Sequence, residues 1–128
     1  MNVFKAVEEF HRKYGIRVGV IPEFPKHQER VLRKKLLEEE YEEYLAAENK
    51  HDFEEVAREL VDIIYIVCGT AVSYGIPLDK VFEEVHNANM RKTGDARRDD
   101  GKILKPEGWQ PPDIKKVLYD AGYEDSKK

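Results

Sequence analysis

The most apolar stretch of the chain, Leu60-Val-Asp-Ile-Ile-Tyr-Ile-Val-Cys68, carries a carboxylate, Asp62, in its middle, with Glu59 one helical turn earlier. A charge in such a run is costly unless something of opposite sign neutralises it. Upstream, Glu38-Glu39-Glu40-Tyr41-Glu42-Glu43 sets a second acidic cluster at helical spacing. Two helices that aim carboxylates at a shared point form a site for hard divalent cations. This constraint dominates what the chain can fold into.

The surrounding sequence supplies the helices. Val3, Phe4, Val7, Phe10 and Tyr14 share one face of a helix over 2–14, and Gly19, Pro22 and Pro25 make 15–25 a loop. A second helix is expected over 26–47, and a third over 53–74. Asp52 with Glu55 has the spacing of a capping box for the third helix, which stops at Gly75-Ile76-Pro77. A fourth helix is expected from 78 to 92, with Gly94 ending it. Then 94–128 reads as an irregular polar tail with a short last helix over 114–119, capped by Asp113, and a frayed end at Ser126, Lys127 and Lys128. No segment reads as a strand. The expectation is a single all-α domain, a bundle of about four to five helices. The third helix is apolar nearly all round, so it should be buried nearly all round. A chain this short cannot cover it alone, which predicts completion by homodimerisation, either a dimer or a dimer of dimers.

Composition narrows the function. With 26 acidic against 22 basic residues the net charge is -4, which argues against a nucleic-acid or membrane binder. The single Cys68 excludes an internal disulfide framework and fits a reducing compartment, and the N-terminus is too charged for a signal peptide. A cytoplasmic protein is expected.

Glu40 and Glu43 are i, i+3 neighbours, Glu39 and Glu43 are i, i+4, and Glu59 and Asp62 repeat the i, i+3 spacing. An antiparallel return between the two helices lets these groups face one another. Oxygen-only ligands suit Mg²⁺, with Mn²⁺ as a substitute, rather than Zn²⁺. The remaining acids, Glu38, Glu42, Glu48, Glu54 and Glu55, read as solvated faces. Asn87, Asn89, Arg91 and Lys92 close the fourth helix, and Arg97, Arg98, Lys102 and Lys105 follow. Cations and amides beside an anionic metal centre suit a polyphosphate. Trp109 reads as an anchor for the tail rather than a stacking surface, and Cys68 as packing.

Four pieces in order, Glu39-Glu40-x-x-Glu43, Glu59-Leu-Val-Asp62-Ile-Ile-Tyr, Tyr74-Gly-Ile-Pro-Leu-Asp79 and His86-Asn-Ala-Asn89-Met-Arg-Lys92, resemble the all-α nucleoside triphosphate pyrophosphohydrolases. This is the MazG-like superfamily, which also contains the dimeric dUTPases and phosphoribosyl-ATP pyrophosphohydrolase. The tail Asp-Gly-Lys-Ile-Leu-Lys-Pro-Glu-Gly-Trp-Gln-Pro-Pro-Asp is similar to that of the smaller MazG-like proteins, and the resemblance spans 30–115. It implies Mg²⁺-dependent hydrolysis of the α–β phosphoanhydride of a (d)NTP to a monophosphate and pyrophosphate, with dUTP or a non-standard dNTP as possible substrates. Carried over, Glu40, Glu43, Glu59 and Asp62 bind metal, Glu39 is an outer ligand or activates water, and Asn89 and Lys92 contact substrate phosphates. The residues after Asp62 look MazG-like, which ranks phosphoribosyl-ATP lower as substrate.

Two other readings compete. Glu8-x-x-His11 and Glu83-x-x-His86 match the ligand spacing of di-iron helix bundles, a reading that leaves Asp62 unused. A non-catalytic dimeric helical module explains the apolar third helix but not Asp62.

Overall fold

The computed structural model describes residues 1–124, so the expected frayed end at 126–128 lies outside the described residues. Among the described residues there are five helices: α1 (Val3–Tyr14), α2 (His27–Asn49), α3 (Phe53–Tyr74), α4 (Leu78–Met90) and α5 (Ile114–Asp120). Among the described residues there is no strand, and one isolated antiparallel bridge joins Arg97 to Ile103. The fold is all-α, as the sequence predicts. No single helix among them is long and apolar enough to cross a membrane.

The central hairpin, α2 with α3, holds the most extensive helix pairing, and α1 lies against α3. Its turn is tight because Asp52 donates its backbone N–H to Ala47 C=O while its carboxylate accepts the N–H of Glu55, 3.2 Å away. The reciprocal half of the capping box does not form, since the Glu55 side chain turns to Arg58 instead. α3 ends where Gly75 adopts φ 70° and donates to Ala71 and Val72, a left-handed cap that glycine accommodates without Cβ strain. α4 stops at Met90, short of the expected 92. Arg91 caps it there, and its guanidinium reaches out to Gln110 C=O.

Far from the turn, the hairpin is fastened by a buried cation. Arg33 on α2 donates to Thr70 Oγ1 and to Ile66 C=O on α3, while Ser73 donates to Glu29 Oε1 nearby. Burial lowers the Arg33 pKa, and the Glu29 carboxylate opposes that shift. His11 closes the third side through a 2.8 Å contact between its Nδ1 and Arg17 C=O.

A single chain leaves part of the apolar third helix uncovered, as its length predicts. α3 is not buried all round: Val61 is 57% and Ile64 51% exposed, with Leu60 and Val67 also open. α4 leaves α3 at a bend of 116° and covers little of it, so its own Phe82 and Met90 stay exposed. Between the two helices lies an apolar cavity of about 530 Å³ lined by Val3, Phe4, Ile63, Val67, Leu78 and Phe82.

Gly69 sits in α3 directly beneath the buried cation. A methyl group there would fall on Arg33 Nη2 and 2.9 Å from His11 Nε2. Alanine is the better helix former by about 1 kcal/mol, yet Gly69→Ala is expected to lower stability, by roughly 1–3 kcal/mol, because the buried side chains have nowhere to retreat. Urea unfolding of the two proteins measures the difference, and a more stable variant would refute this account of the packing.

Candidate metal centre

At the turn end of the hairpin, α2 and α3 bring three acids together. One carboxylate oxygen each from Glu40, Glu43 and Glu59 lies within 4.8 Å of the other two. Glu59 is only 4% exposed. Its Oε2 and Oε2 of Glu40 are buried with no hydrogen-bond partner, although buried polar atoms in folded proteins nearly always have one. A divalent cation satisfies this arrangement: the donors are all hard oxygens, they converge, and two of them lack any other partner. Glu40, Glu43 and Glu59 are the residues that would hold it.

The electrostatics follow from that crowding. Burial, the contact with Glu59, and the charges of Glu43 and Asp62 push the Glu40 carboxyl up to about 7. Glu59 is raised chiefly by burial, with Glu43 and Asp62 adding to the shift. Asp62 therefore acts on the cluster through its charge, although it is half-buried and its oxygens stand outside the close triad. The sequence pointed to Asp62 as the buried carboxylate; the more deeply buried one is Glu59, because that side of α3 faces α2.

The other expected site residues are not drawn in. Glu39 is exposed and outside the triad. Asn89 is exposed, and Lys92 lies over the Trp109 ring, 5.5 Å from its centroid. Among the described residues, no hydrogen bond or ion pair links either one to the carboxylates. Two cations that the sequence reading passed over do stand beside the cluster. Arg58 approaches Glu55 at 2.8 Å and Glu59 at 3.9 Å, and with Lys50 it lines a cavity of about 290 Å³ that also borders Glu43. The signal for Arg58 was its place next to Glu59 and one turn after Glu55. The histidines of the di-iron reading are elsewhere: His11 is held by Arg17 C=O, and His86 stacks on Phe82.

Comparison with known proteins places this geometry. The family model described as phosphoribosyl-ATP pyrophosphohydrolase matches residues 7–89, which include the Glu40, Glu43 and Glu59 triad and Asp62. The chain belongs to the phosphoribosyl-ATP pyrophosphohydrolase family. It is 33% identical over 79 residues, 60% of its own length and 72% of theirs, to proteins named phosphoribosyl-ATP pyrophosphatase from Bacillus cereus (strain AH820), Bacillus anthracis (strain A0248) and Bacillus mycoides (strain KBAB4). The resemblance to the all-α nucleotide pyrophosphohydrolases thus holds, as does the reading of the chain as a hydrolase acting on phosphoric anhydrides. The match falls in the branch that the residues after Asp62 had ranked lower.

The raised Glu40 carboxyl makes stability depend on pH. The folded chain keeps that proton up to about 7, while the unfolded chain releases it near the ordinary value of 4.5. Between these values the folded state binds more protons, so this group's contribution is complete below the lower value and lost as pH rises through the upper one. Thermal unfolding in EDTA is expected to show wild type losing a few degrees of Tm relative to Glu40→Gln across that window. Parallel Tm profiles for the two proteins would contradict the shift.

Proposed function

We propose that this chain is a divalent-metal-dependent nucleotide pyrophosphohydrolase, with phosphoribosyl-ATP as its leading substrate and Mg²⁺ as its metal, Mn²⁺ substituting. The observation that carries this reading is the pair of buried, partnerless oxygens on Glu40 and Glu59 converging with Glu43. The family match and the relatives' printed names support the substrate. A second reading, hydrolysis of dUTP or another (d)NTP, draws on the tail after residue 89, which lies outside the family match and looks like that of the smaller MazG-like proteins.

In the reaction, a water oxygen bonds to the α-phosphorus as the α–β bridging oxygen departs with pyrophosphate, leaving the monophosphate. A bound divalent cation supplies charge neutralisation for the phosphate oxygens. Glu40, Glu43 and Glu59 would hold the cation, joined by Asp62 as the resemblance implies, with Glu59 fixed by burial and by its neighbour Arg58. Glu39, exposed and outside the triad, is the residue that the resemblance gives as an outer ligand or as the group that activates the attacking water. Asn89 and Lys92 bind substrate phosphates. The exposed Leu60, Val61 and Ile64 of α3 and Phe82 of α4 support a homodimer, which would bury them. The free, buried Cys68 is consistent with a reducing, cytoplasmic setting.

Pyrophosphate release from phosphoribosyl-ATP, the common NTPs and dNTPs, and dUTP tests the proposal. Turnover is expected with Mg²⁺, none with EDTA, and a loss of roughly 10–100-fold in Asp62→Asn, the scale of losing a carboxylate that supports a metal site. Metal-independent turnover, or full activity in Asp62→Asn, would overturn it.

A further inference from the structure

A cation stands against the wall of the carboxylate centre, and it divides itself unequally between two acids. Nη2 of Arg58 lies 2.8 Å from Glu55 Oε2 and 3.9 Å from Glu59 Oε1. Glu55 and Glu59 are i, i+4 neighbours on α3, so the guanidinium sits between acids on one side of the helix. Glu55 keeps 39% of its side chain in water and Arg58 66%, whereas Glu59 keeps 5%. The guanidinium takes the wetter acid. Glu55 can face it because the acid gives up a helix-capping role. Its backbone N–H donates to the Asp52 carboxylate, but its own carboxylate does not return to the Asp52 N–H, which goes to Ala47 C=O.

The division matters because a guanidinium and a divalent cation compete for the same carboxylate. An Arg–carboxylate bond is strong where water is excluded, and Glu59 is the most buried acid of the triad. At 3.9 Å, Arg58 limits how far Glu59 can swing without bonding to it, and Glu59 Oε2 has no hydrogen-bond partner. Closing on Oε1 would tie Glu59 into an ion pair and set a like charge beside the metal. A movement of about an ångström achieves this, the difference between the two Arg58 contacts. The cavity of about 290 Å³ bordered by Glu43, Lys50, Glu55, Arg58 and Glu59 leaves room for it.

We propose that Glu55 is a positioning residue for the metal centre: by holding Arg58 outward, it keeps the buried Glu59 carboxylate open to a divalent cation. The role of Glu55 rests on the metal-dependent reading of that centre. It goes to an acid that the sequence presents as part of a solvated face. An ion pair this exposed stabilises the fold little. Its effect falls on the availability of Glu59.

Mn²⁺ binding to the full chain, followed through the paramagnetic signal of the unbound ion, tests this without turnover. Glu55→Ala is expected to weaken binding at least about 10-fold, the scale on which groups that orient a metal ligand act. Arg58→Ala is expected to bind close to wild type, since it removes a loose restraint on Glu59 together with a like charge beside the cation. The double variant should match Arg58→Ala, because no guanidinium remains to be held away. Melting in EDTA should stay close to wild type in Glu55→Ala, so that the loss reads as affinity and not as unfolding. Three results would each overturn the role of Glu55: wild-type affinity in Glu55→Ala, an equal loss from Glu55→Ala with and without Arg58, or a loss of about 10-fold in Arg58→Ala alone. The second is the mark of long-range charge acting on the metal. Any of the three, alongside saturable wild-type binding that Glu59→Gln abolishes, leaves the metal centre standing. No saturable binding in wild type sinks the centre and the role of Glu55 with it.

Discussion

Mutual repulsion among Glu40, Glu43 and Glu59 is the constraint around which the rest of this molecule is arranged. Three carboxylate oxygens within 4.8 Å of one another, one acid fully buried, do not assemble spontaneously in a low-dielectric setting. The hairpin forces them together. At one end the Asp52 cap and the short turn fix how α2 enters α3. At the other, Arg33 reaches from α2 to Ile66 and Thr70 and locks the register of the two helices. The fold thus spends stability at one end of the hairpin and recovers it at the other. Proteins commonly make that exchange where a site must stay strained to bind its ligand.

The same helix carries a second unfinished surface. α3 turns Glu59 towards α2 and leaves Leu60, Val61, Ile64 and Val67 on its remaining faces, which neither α1 nor α4 covers. Acid and oil therefore share one helix because they face different things: Glu59 the acids of α2, the apolar residues open space.

Much of this is legible in the residues. Asp52 and Gly75 mark the ends of α3 because capping is local chemistry, and the i, i+3 spacing of Glu40 with Glu43 and of Glu59 with Asp62 predicts two acidic helix faces meeting. The choice between Glu59 and Asp62 as the buried acid was not legible. The two lie close on the same helix, and which one turns inward depends on the rotation of α3 against α2. Arg33 was equally opaque, since its partners stand more than thirty positions away. The tail reads as irregular by composition, and it is. Its attachment, through one indole N–H to a carbonyl at the end of α4, is a tertiary contact with no local pattern.

The most direct test of the carboxylate centre is the thermal stability of Glu59→Gln against wild type, each in EDTA and again in saturating Mg²⁺. If the triad is a metal site held together against its own charge, the variant should be as stable as wild type or more stable without metal, and should gain little when metal is added, while wild type gains several degrees. A variant that is less stable in EDTA and still strongly stabilised by Mg²⁺ would show that Glu59 is a structural acid and that the cation binds elsewhere.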